Sequence, residues 1–138
     1  MESTPLQSTS IRSYRDLKVW QMGIDLVVEC YQLTSRFPRD ERFSLTQQIR
    51  RAVVSVPSNI AEGHGRTHLG EYLYHLSIAN GSLMELETQI IIAQRLGFLA
   101  LQGCNRLLSL TAELGRMLTG LRQKLARLDR RHKLKPET

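Results

Sequence analysis

The chain has 138 residues, 41% hydrophobic and 23% charged, with a formal net charge of +6. That is one domain's worth of chain, long enough to bury a core without disulfides or metals. No apolar run approaches the roughly 20 residues of a membrane span, and residues 1–10 lack the basic stretch and apolar core of a secretory signal, so a cytoplasmic protein is expected.

Residues 1–13 read as a floppy arm, and a first helix is expected over residues 14–36. Leu17, Trp20, Ile24, Val27 and Tyr31 step by three and four, and so do Val19, Met22, Leu26, Cys30 and Leu33. At about 100° per residue these two seams lie about 130° apart, leaving a narrow polar strip of Lys18, Gln21, Asp25, Glu29, Gln32 and Arg36. A peripheral helix of a monomeric bundle buries one seam. The second is covered either by the chain's own loops or by another subunit, and Val19, Met22, Leu26 and Leu33 are assigned to such an interface.

Phe37-Pro38 stops the helix, because the residue before a proline avoids the helical region. Ser44 with Gln47 three residues later has the form of a capping box and marks the second helix. Ile49, Val53, Val56 and Ile60 then share one face. Pro57 cannot donate its backbone hydrogen bond and should bend the helix; Ala52, Ser55, Ser58 and Ala61 around it let a neighbour approach. Arg50 and Arg51 flank the stripe and could each reach a phosphate or pair with an acid, pairing being favoured for Arg51. Gly63-His-Gly65 ends the helix, with glycine suited to a left-handed cap.

Thr67 is placed to cap the third helix, with Glu71 near its positive end. Tyr72, Leu76, Ala79, Leu83, Leu86, Ile90 and Ala93 alternate steps of four and three, a repeat that favours shallow left-handed packing of long helices. Gly81 costs this helix about 1 kcal/mol, tolerable if another helix comes close, and the segment around Pro57 is the natural opposite number. Gly97 closes the helix. The fourth is expected over residues 101–128, with Cys104, Leu107, Leu108, Thr111, Leu114, Leu118, Leu121, Leu125 and Leu128 inward and a basic tail over residues 129–138. Four helices on short links imply an all-α, antiparallel up-down-up-down four-helix bundle over residues 14–128.

Little in the chain resembles catalytic machinery. Cys30 and Cys104 lie far apart inside helical patterns and read as buried small hydrophobes in a reducing compartment. A di-iron bundle needs Glu-x-x-His on two helices, and the motif does not occur. His64, His68, Glu71 and His75 gather near the start of the third helix and could hold a divalent metal. They sit at an exposed helix end without a matching set, so surface placement is the reading adopted, and no metal or cofactor is expected. Glu85 and Glu87 diverge too far to share a substrate atom. Neither a nucleophile elbow nor a phosphate loop is present, and an enzyme is not expected.

Charge distribution is more telling. Residues 106–138 carry nine Lys and Arg against three acidic residues, a surplus equal to the whole net charge. Arg116, Arg122, Lys124, Arg127, Arg130, Arg131, Lys133 and Lys135 are therefore the candidate nucleic-acid-binding residues; the alternative is a solvated helix end. Neutralising phosphates releases counterions and gives salt-sensitive, sequence-blind binding. Few aromatics accompany these cations, which argues for structured RNA read through its backbone and against single-strand stacking.

Tyr14-x-x-Leu17-x-Val19-Trp20, Gln48-Ile-Arg-Arg-Ala52, Ser55-Val-Pro-Ser-Asn-Ile-Ala-Glu-Gly63 with Arg66, Glu71-Tyr72 and Ala79-x-Gly-Ser-x-x-Glu-Leu-Glu-x-Gln89 resemble, in order, the four-helix-bundle proteins encoded in intervening sequences of large-subunit ribosomal RNA genes. That family is related to accessory proteins of diversity-generating retroelements. The resemblance spans residues 14–126 and implies a homopentameric barrel without catalytic residues. It marks Arg51, Asn59, Glu62, Arg66, Glu85 and Glu87 as motif positions of a structural polar network. Its retroelement branch implies an alternative function, that of a protein-binding scaffold for a reverse transcriptase; a reverse transcriptase gene and template repeat nearby would favour it.

Overall fold

The computed structural model describes residues 11–134, with no strand among them. Residues 1–10 of the expected arm and residues 135–138 of the tail, Lys135 included, lie outside the described residues, as does the side chain of Lys133. Four helices follow in order: α1 (Lys18–Thr34), α2 (Leu45–His64), α3 (Leu69–Arg95) and α4 (Leu101–Leu134). Each packs on two neighbours in the ring α1–α2–α3–α4–α1, and no pair packs across the diagonal among the described residues. Consecutive helices on short links are antiparallel, as expected for a four-helix bundle.

Several helix ends differ from expectation, for local reasons. Tyr14–Asp16 is a separate 3-10 turn, because the Asp16 carboxylate folds back to accept from the amides of Arg12 (2.9 Å) and Ser13 (3.4 Å). Leu17 is then extended, and α1 starts at Lys18. The capping box at Ser44 does not form; Glu41 Oε1, from the 3-10 turn Arg39–Glu41, accepts instead from the Leu45 amide at 3.3 Å. Gly65 closes α2 in a right-handed conformation, φ −80° and ψ −4°, so no left-handed cap is used there. Gly63 lies inside the helix, where an added Cβ would meet His75 Cβ at 2.8 Å and Tyr72 Cδ1 at 3.0 Å. Its purpose is close approach of α3, not chain reversal. His68, extended, precedes α3 without a side-chain cap, so Thr67 does not cap it.

Gly97 does close α3 as expected: its φ is +83°, the Phe98 amide reaches Ala93 O at 2.9 Å and its own amide reaches Gln94 O at 3.0 Å, a Schellman pair. α4 continues past Leu128 to Leu134. No glycine or proline intervenes between Gly120 and Pro136 to stop it.

The core is one cluster contributed by all four helices, including Ile49, Val53, Val56, Ile60, Leu76, Leu83, Leu86, Ile90, Leu114 and Leu118. It also contains two residues expected at a subunit interface. Val19 (5% exposed) and Leu26 (2%) are buried within the chain itself, and Met22 and Leu33 are half-buried against the same cluster. The interface assignment of that seam is therefore corrected: it faces the bundle, and the outward apolar residues of α1 are Ile24, Val28 and Tyr31. Pro57 explains which seam turns inward. It packs on Gly23, where an added Cβ would lie 3.2 Å from Pro57 Cβ, and Gly23 shares the helical sector of Val19, Leu26 and Cys30. The expected pairing of Pro57 with Gly81 does not occur, since nothing lies within 4 Å of a Cβ built at Gly81. The neighbouring serines meet instead, Ser55 to Ser82 at 2.8 Å.

Candidate nucleic-acid interface

On α4, Leu107, Leu114, Leu118 and Leu125 are buried on one side. At about 100° per residue, Arg116, Lys124, Arg127, Arg130 and Arg131 fall within a sector of about 120° facing away from them. All five are exposed. From Arg116 to Arg131 the sector runs about 22 Å along the helix. Extension of the helix to Leu134 places Arg130 and Arg131 on this rigid face, not in a tail. Arg122 is apart from them: it is half-buried on the flank toward α3 and its Nη2 donates to Ser77 Oγ at 3.2 Å. Of the two carboxylates on α4, exposed Glu113 shares the basic sector near its start, and Asp129 lies on another side. The result is a long, water-facing positive stripe backed by a hydrophobic core, which can neutralise an extended polyanion.

Three of the six motif polar positions, Asn59, Glu62 and Arg66, gather on the α2–α3 side. Asn59 Nδ2 donates to Ser55 O (2.9 Å) and to Ser55 Oγ (3.0 Å). Its Oδ1 therefore faces His75 Nδ1 at 3.0 Å, and the imidazole must carry its proton there. Glu62 Oε1 lies 3.8 Å from the same nitrogen, an ion pair whenever His75 is protonated, and 3.9 Å from Arg66. Glu85 accepts from Gln89 Nε2 at 3.1 Å within α3. Glu87 accepts from the fully buried Thr111 hydroxyl at 2.7 Å and so ties α3 to α4. Arg51 stands outside this network, exposed on α2 beside Arg50, with no acid pairing to it among the described residues.

The histidine cluster is drawn apart. His75 turns toward Asn59, and His64 packs edge-on against Tyr72 with ring centroids 5.8 Å apart. Among the described residues no three His, Cys, Asp or Glu side chains are placed to hold a metal ion. Cys30 is buried, and desolvation, with the nearby Glu29 charge adding to it, pushes its thiol up to about 12.

Two features escaped the sequence. Arg106 makes a two-pronged contact with Glu29, Nε to Oε1 at 3.2 Å and Nη2 to Oε2 at 2.7 Å, which clamps α4 to α1 and holds the Arg106 guanidinium above its usual range through that hydrogen bond and charge. No spacing rule links residues that far apart. The other is a concentration of exposed aromatic and arginine side chains where α1 meets the start of α2, with Phe43 80% exposed. The aromatic-poor composition concealed it, because its few rings come from separate segments.

The family model described as 23S rRNA-intervening sequence protein matches residues 15–120, more than half of the chain. Among curated proteins, none matches it.

Proposed function

Because the chain belongs to the 23S rRNA-intervening sequence protein family, we propose that it acts in the cytoplasm as a non-enzymatic, homo-oligomeric bundle that engages structured RNA through α4. The observation that carries this reading is the exposed sector of Arg116, Lys124, Arg127, Arg130 and Arg131 on one rigid helix. Binding there is to phosphates, so it is tight at low salt, weak at high salt and largely blind to sequence. Arg122 steadies the α3–α4 contact and plays a smaller part.

Self-association draws support from apolar side chains left on the surface of the single chain. Ile24 and Val28 on α1, with Met84, Ile91 and Ile92 on α3 and Leu96 just past its end, are exposed. Such surfaces on a soluble bundle mark contact sites. A pentamer is the stoichiometry we propose, on the strength of the family resemblance. Filter binding of a hairpin RNA tests the nucleic-acid reading: affinity should drop at least tenfold in a variant carrying Arg116→Glu, Arg127→Glu and Arg131→Glu. Equal affinity in that variant would remove it.

A further inference from the structure

The second basic surface of the molecule lies on the α1–α2 side, in an open groove of about 550 Å³. Three guanidinium groups line it, those of Arg42, Arg50 and Arg51, and no carboxylate is among the described residues that do so. Two aromatic rings accompany them. Phe43 is 80% exposed with the Arg42 guanidinium 5.8 Å from its ring centroid, and Tyr31 carries the Arg50 guanidinium at 4.4 Å. Arg50 is pinned in place, its Nε donating to Thr34 Oγ1 at 3.0 Å and Nη2 reaching Tyr31 O at 3.4 Å. Arg51 is exposed beside it.

A purely apolar partner would leave three positive charges uncompensated, and a simple inorganic anion would not use the exposed Phe43 ring. The pairing suits an occupant that is flat and apolar at one end and anionic at the other. We propose that this groove takes one unpaired nucleotide of an RNA chain, its base against Phe43 and its phosphate between Arg42 and Arg51. Stacking on an exposed ring is tolerant of base identity, and the arginines supply the backbone contact. The proposal rests on the nucleic-acid reading of α4: that helix holds the structured part of the RNA, and this groove holds an unpaired extension from it.

The test compares a blunt hairpin RNA with the same hairpin bearing a single-stranded oligouridine extension, on the full chain, with Phe43→Ala and Arg51→Glu as variants. The extension should tighten binding by about five- to hundredfold. Either substitution should abolish that gain while blunt-hairpin affinity stays within about twofold. Phe43 is so exposed that its loss leaves the core intact. A hairpin that binds but gains nothing from the extension, or a gain that survives Phe43→Ala, overturns the groove alone. Binding of the extended RNA only, dependent on Phe43, upholds the groove and removes the α4 reading; no binding of either RNA removes both. A changed subunit number in RNA-free Phe43→Ala, read by native mass spectrometry, would make the groove a contact between copies and end the proposal.

Discussion

Gly63 and Gly81 show how one residue type serves opposite ends in adjacent helices. A methyl at Gly63 would be forced to 2.8 Å from His75 Cβ, whereas at Gly81 it would meet nothing within 4 Å. Gly81→Ala should therefore stabilise the fold by about 0.5–1 kcal/mol through helix propensity alone. Gly63→Ala, which propensity would also favour, should destabilise it by about 1–3 kcal/mol through overpacking. Urea denaturation of the two variants decides the matter; equal shifts would mean that α3 does not press on Gly63. Cys30 gives a pH-dependent prediction. Its thiol rises from the ordinary 9.0 to about 12 in the folded chain, while the unfolded chain ionises at the ordinary value. The unfolded state thus releases its proton first, and the stability held below pH 9 is lost as pH climbs toward 12. At pH 8.5 native Cys30 should resist iodoacetamide over a time in which the urea-unfolded chain is fully alkylated. Rapid native labelling would place that thiol at the surface.

Between helices, the bonds that fix register are polar and few. Asn59 binds Ser55 and His75 at once, and Thr111 satisfies Glu87 from inside the core. Removing one partner strands the other, so Asn59→Ala and Thr111→Val should each cost about 1–3 kcal/mol in chemical denaturation. A neutral result would mean that water replaces the lost partner. The helices themselves were legible from sequence: the steps of three and four in Ile49 to Ile60 and in Leu76 to Ala93 marked core faces, Pro38 a stop, and Gly97 the close of α3, although the left-handed cap was expected at Gly63 to Gly65 and is found at Gly97 instead. The caps were not, since Glu41 took the place of Ser44, and a competing local hydrogen bond leaves no periodic trace. Nor was the inward seam of α1, because both seams are apolar and the choice depends on Pro57 meeting Gly23, a tertiary contact. For the candidate site, the cations of α4 were readable as charge, but only the helix continuing to Leu134 arranges Arg130 and Arg131 with Arg116. Arg122, equal to the others in sequence, is diverted to Ser77.

As a whole the molecule combines three surfaces: a basic stripe on α4, an arginine–aromatic groove between α1 and α2, and exposed apolar side chains on α1 and α3. The apolar surface is the one we propose for assembly. Native mass spectrometry at micromolar concentration should show a homo-oligomer, with Ile91→Glu/Ile92→Glu shifting it toward single chains while helical circular dichroism is retained; a wild-type monomer would remove assembly from the account. The basic stripe is the surface we propose for RNA, and the dependence of affinity on salt probes it most directly. For a hairpin RNA, the plot of log affinity against log salt should fall with a slope of about −3 or steeper for the natural chain and clearly shallower for the Arg116→Glu/Arg127→Glu/Arg131→Glu variant. A slope near zero, or the same slope in both proteins, would contradict the claim that α4 holds phosphates.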